Sequence, residues 1–125
     1  MYLTKFRVFD KESKTMHNVK IMDYDANEAL LEDEFDGAWA DLEDSRYVVS
    51  ESIGIKDKNG LDIFVGDNIR FYNPYYMLTP DETTEYFEEI VRYEDGRLLP
   101  RVARYDIRTF SPEWLEVLGN IYTGC

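Results

Sequence analysis

The segment running from Asp23 to Asp44 is crowded with carboxylates and contains no lysine or arginine. Carboxylates in that density can hold a cation, work as an acid–base pair, or present negative charge to a basic partner. A calcium loop is the sharpest of these readings. Aligning Gly37 with the glycine of an EF-hand loop puts Glu32, Glu34, Asp36 and Glu43 at ligand positions. The spacing fits but the residue types do not, because Glu crowds the tight turn where Asp or Asn is needed, and Trp39 replaces an aliphatic residue. No metal site is therefore assigned. Arg97, Arg101, Arg104 and Arg108 form the opposite feature, a basic cluster in an acidic chain. With Tyr93 and Tyr105 nearby they can bind a phosphate-bearing ligand by charge-assisted bonds and stacking, or simply pair with neighbouring carboxylates. His17 is the only histidine and falls in a polar turn region, where a surface role is expected. No Ser-His or Cys-His device can be assembled around it. Carboxylate pairs are too numerous to mark an acid–base site, and "KDKNG" lacks the spacing of a phosphate loop.

These groups need elements to position them. The chain has 125 residues, 44% of them hydrophobic and 15% aromatic, with ten Tyr and seven Phe. A domain of this size buries about two-thirds of its unfolded surface, and the aromatic and β-branched content leans toward strands. "KFRVFDKESKTMHNVKIMDYD" reads as a hairpin around a polar turn, with Phe6, Val8, Val19 and Ile21 on the alternating apolar positions. In "DANEALLEDEFDGAWADLED", Asp25 followed by Glu28 fits an acidic capping box, and Leu31, Phe35, Ala38, Trp39 and Leu42 recur at helical spacing. A helix is the reading preferred there, and a hairpin turning at Asp36-Gly37 is its rival. "RYVVSESIGI", "LDIFV", "NIRF" and "EWLEVLGNIYTG" read as strands. Lys58-Asn59-Gly60 and Asp95-Gly96 suit tight turns, and "YNPYYMLTPDETTEYFEE" suits a long loop. Gly66 would allow a sharp bend at which Asp67 can bond to backbone amides.

Two separated strings, "GIKDKNGLDIFVGDNIRF" and "LEVLGNIY", together with the opening "KFRVFDKESKTM", resemble the YopX family of phage and prophage proteins. Phe9 stands where that family often has Trp, and segments 23–44 and 72–88 lack a clear counterpart. The resemblance implies an SH3-like β-barrel in the second half with a smaller N-terminal part, self-association, and a phage or prophage product working in the bacterial cytoplasm. It brings no established catalytic activity. Gly54, Asp57, Asn59, Gly60, Gly66, Asp67, Gly119 and Asn120 transfer only as motif positions with a structural role. The expected architecture is thus one α+β domain over residues 1–125, mainly β, with a hairpin and a helix ahead of the barrel.

Charge narrows the function. A formal net charge of −12 repels phosphate backbones and anionic membrane surfaces, so direct nucleic-acid binding is not expected. The N-terminal stretch has no long apolar run to serve as a signal or membrane span. Cys125, the single cysteine, allows no internal disulfide or zinc ligand set. The leading expectation is a non-enzymatic, cofactor-free accessory protein that binds a host protein, imitating nucleic-acid phosphates with acidic residues. Its candidate interface is Glu32, Glu34, Asp36, Asp41 and Glu43, with Tyr72, Tyr75 and Tyr76 as an aromatic surface. An oligomer binding a nucleotide signal through Arg97, Arg101, Arg104, Arg108 and Tyr105 is the alternative. A structural or assembly role is the third.

Overall fold

A computed structural model describes residues 5–32, 39–72, 86–102 and 105–123. The chain divides into two compact units, Leu3–Glu51 and Ser52–Cys125. Among the described residues no helix is long and apolar enough to cross a membrane.

In the first unit, β1 (Phe6–Asp10) and β2 (Thr15–Asp23) form the expected hairpin, with Val8 opposite His17 and Phe9 opposite Met16. The turn is held by Asp10, whose Oδ1 accepts from the backbone amides of Glu12 and Ser13, while Lys14 takes a left-handed φ of 58°. Arg46 closes over the same carboxylate with Nε and Nη2, each 2.7 Å from an Asp10 oxygen. The first half of β5 (Tyr47–Lys56) pairs with β1 on the side away from β2. His17 is buried rather than superficial, because its strand position faces the same side as Val8.

Among the described residues of segment 23–44 the expected helix is not there. Its described residues form β3 (Glu28–Leu31) and β4 (Trp39–Asp41), paired antiparallel to β2 and to each other. The reason is local. Asp23 Oδ1 accepts from the amides of Asp25 and Ala26, and Asn27 adopts a φ of 53°, which makes a reversal rather than a helix start. Ala29 and Leu31 then alternate with Glu28 and Leu30, a period of two. Val8, Ala29, Leu31 and Ala40 make the small core, with Val19, Met22, Leu42 and Tyr47 packed against it.

The second unit begins in the second half of β5, which pairs with β6 (Asp62–Phe64) across a bulge. It continues through β7 (Asp67–Tyr72), β8 (Tyr86–Ile90), β9 (Arg92–Glu94), β10 (Arg97–Leu99), β11 (Arg101–Val102) and β12 (Tyr105–Asp106), then two 3₁₀ turns and β13 (Leu115–Asn120). The barrel expected here is also corrected: no closed barrel forms among the described residues. A three-stranded sheet β13-β7-β8 stands beside two short ladders, β9–β10 and β11–β12. Pro100 offers no amide to carry pairing from β10 into β11, and the 3₁₀ turns Ile107–Thr109 and Pro112–Trp114 interrupt the path into β13. The core is nonetheless continuous, built from Ile53, Ile63, Ile69, Phe71, Val91, Leu98, Ile107, Phe110, Trp114 and Leu115.

Candidate functional site

The register of β2, β3 and β4 decides what the acidic segment presents. Met22, Ala29 and Ala40 are in register across the three strands, and the two alanines lie in the core. Side chains alternate along a strand, so the positions on either side point to the opposite face. There Asp23, Glu28 and Asp41 stand in one row, directly opposite one another. Like charges in that relation repel and cost stability. Two residues further along each strand, Ile21, Leu30 and Trp39 make a second row. Ile21 is 48% and Trp39 47% exposed, and Leu30 is half-buried. The bulge between Val19 and Ile21 turns Ile21 to this face.

Backbone contacts hold the acidic row in place. Asp41 Oδ1 accepts from the amide of Glu43 at 3.0 Å, and Asp23 Oδ1 serves the turn into β3. Glu43 and Glu32 are exposed at strand ends, with the Glu32 amide donating to Asn18 O at 2.8 Å. Glu34 and Asp36 lie outside the described residues, so the EF-hand register has no geometry to report. Among the described residues no three His, Cys, Asp or Glu side chains converge as a metal requires.

The arginine cluster lies in the second unit. Arg101 on β11 is opposite Asp106 on β12, and Arg108 follows two residues later. Arg108 grips Asp106 with Nε at 3.1 Å and Nη2 at 2.8 Å. That bond holds the Asp106 carboxyl below its ordinary range, with the charge of Arg101 adding to the effect. A phosphate arriving at Arg108 would have to displace this carboxylate. Tyr105 and Tyr93 are exposed nearby in sequence, and Arg97 is exposed opposite Glu94 on the β9–β10 ladder. Arg104 lies outside the described residues, as do Tyr75 and Tyr76. Tyr72 is half-buried on β7, edge-on to Tyr86 and Trp114.

The motif residues serve the backbone. Asp57 is buried and its two oxygens accept from Asn59 N, Leu61 N and Val117 N, all at 2.9 Å, tying the Asn59-Gly60 turn to β13. Gly54, at a φ of 94°, lies in the β5–β6 bulge. Gly66 donates to Val91 O and accepts from Ile121 N, while Asp67 Oδ2 accepts from Phe64 N at 2.8 Å. Gly119 marks the bulge in the β7–β13 pairing. Asn120 Oδ1 accepts from the amides of Tyr122 and Thr123, turning the chain so that the Tyr122 ring lies on Gly66.

From residue 5 to residue 124 the chain matches the family model described as YopX protein. The chain belongs to the YopX family. It is accordingly a phage-type protein, and the match runs through segments 23–44 and 72–88 as well as the motif strings. A solved structure, protein EF1440 from Enterococcus faecalis, is similar at a TM-score of 0.60 and 23% identity, covering 98% of this chain and 96% of that one. The likeness to EF1440 shows a shared fold. No curated protein matches the chain.

The interface expected from the sequence includes Asp41, Glu32 and Glu43 but not Asp23, Glu28 or the apolar row beside them. Helical spacing places Trp39 on the apolar face of the expected helix, whereas on β4 it is 47% exposed. Glu28-Ala29-Leu30-Leu31 holds three apolar residues in succession, so its alternation shows only in the burial of the folded strand, and the helical spacing of Leu31, Trp39 and Leu42 is the stronger pattern in the sequence.

Proposed function

We propose that this YopX-family protein is a non-enzymatic phage or prophage accessory protein that acts by binding, with its acidic first unit seated on a basic surface of a host protein. The observation that carries this reading is the row Asp23–Glu28–Asp41, three carboxylates held directly opposite one another across β2, β3 and β4. Their mutual repulsion costs stability in the free protein, and a cationic partner relieves it. A groove that handles nucleic acid is such a partner, since its lysines and arginines are already arranged for regularly spaced negative charge. The Arg101–Asp106–Arg108 group supports an anion-binding role less well, because Arg108 is engaged by Asp106. The working compartment in this reading is the bacterial cytoplasm.

Native mass spectrometry of the protein isolated gently from host cytosol tests it. The expected result is a complex whose mass exceeds 14.8 kDa by that of a basic host protein. The complex should be lost when Glu28, Glu32 and Glu43 are all changed to Lys, and kept in Arg97→Glu. Retention of the partner by the triple variant rejects the acidic face as the binding surface. A homo-oligomer alone would move attention to intersubunit contacts.

A further inference from the structure

We propose that the row Ile21–Leu30–Trp39, bordered by Asp23–Glu28–Asp41, is a docking strip for a short amphipathic helix carrying an apolar stripe beside a stripe of Lys or Arg. The inference rests on the acidic-face reading above and names the chemistry of the partner. A surface that only imitated phosphates would need carboxylates alone. Here two large apolar side chains, each close to half exposed, stand one pleat away from the acids on the same face. The strip crosses β2, β3 and β4, and two strand spacings amount to about 9.5 Å. Two turns of an α-helix rise about 11 Å, so a helix lying across the strands meets all three apolar side chains. Its flanking basic residues then fall over the acidic row.

The charge arrangement selects the occupant. A second copy of this chain brings carboxylates against carboxylates, because segment 23–44 has no Lys or Arg to offset them. A purely apolar helix would cover Asp23, Glu28 and Asp41 without supplying a counter-charge, which costs free energy for each charge left unpaired. A helix with Lys or Arg beside its apolar stripe satisfies both rows. Trp39 supplies the wide aromatic contact that dominates such interfaces.

The test is a titration of the full chain with a synthetic amphipathic leucine–lysine helix and, separately, with oligolysine of equal charge. Tryptophan emission is the readout, since Trp39 lies on the strip while Trp114 is buried in the second unit. The amphipathic peptide should shift the emission to the blue, and Trp39→Phe should abolish that shift. Ile21→Ser should weaken the amphipathic peptide roughly tenfold, the worth of one partly buried aliphatic side chain, and leave oligolysine unchanged. Glu28→Gln should weaken both. Should Ile21→Ser prove unfolded by circular dichroism, Ile21→Thr keeps the β-branch and replaces it. Equal binding of both peptides, unaffected by Ile21, overturns the docking strip and leaves the acidic-face reading standing. No binding of either peptide overturns both.

Discussion

At the scale of single residues, three groups have consequences larger than their size. Asp57 is buried and serves three backbone amides, so Asp57→Ala leaves all three without their acceptor. Hydrogen bonds to a charged group are worth about 1.5–3 kcal/mol each and are not additive. Urea unfolding should therefore show a loss of about 3 kcal/mol, and a loss below about 1 kcal/mol would mean that water replaces the carboxylate. Gly66 has a φ of 96°, and a Cβ there would lie 2.6 Å from a Tyr122 ring carbon. Gly66→Ala should cost about 2–3 kcal/mol from backbone strain and the clash together. Adding Tyr122→Ala should recover only the clash, so a double-mutant cycle should give a clearly non-zero coupling. Asp10 is held well below the usual carboxylate range by its hydrogen bonds from Arg46, against the opposing pull of burial. A depressed folded-state pKa contributes stability that is complete above the unfolded value of 3.8 and is lost as pH falls through the folded value. Acid titration below about pH 4 should thus destabilise the native chain more steeply than Arg46→Ala, while the two respond alike near neutrality.

Elements behave differently from the residues that compose them. Segment 23–44 carries both a helical repeat and a period of two, and the strand wins because its neighbours offer β2 as a partner. Strand geometry predicts that Leu31→Ala, at 4% exposure in the core, costs about 2–4 kcal/mol in chemical unfolding. Leu30→Ala, on the opposite face, should cost less than half as much. Equal losses would contradict the alternation on which the docking strip depends. The tight turns are more legible in the sequence than segment 23–44. Asp95-Gly96 makes the β9–β10 reversal with φ values of 52° and 77°, and the Asn59-Gly60 turn is closed by Gly60 N to Asp57 O. Such turns are written in two or three adjacent residues whose allowed φ is intrinsic. Strand partners, barrel closure and the fate of an ambiguous apolar pattern depend on residues far away.

Across the whole molecule the dominant quantity is the net charge of −12. Self-repulsion of that size lowers stability and is screened by salt. The melting temperature should rise between about 0.05 M and 0.5 M sodium chloride, where the Debye length falls from about 14 Å to about 4 Å. A fall would show that ion pairs such as Lys58–Glu116 and Arg70–Glu88 outweigh the repulsion. The sequence by itself determined the family, the acidic character, the N-terminal hairpin and the tight turns, since these follow from composition and from short strings with strong local preferences. Only the tertiary structure decided that the described parts of the acidic segment are strands, that Asp23, Glu28 and Asp41 stand in one row with Ile21, Leu30 and Trp39 beside them, and that no closed barrel forms among the described residues of the second unit. Register is a relation between strands, set by which apolar faces can be buried together. No residue carries it alone.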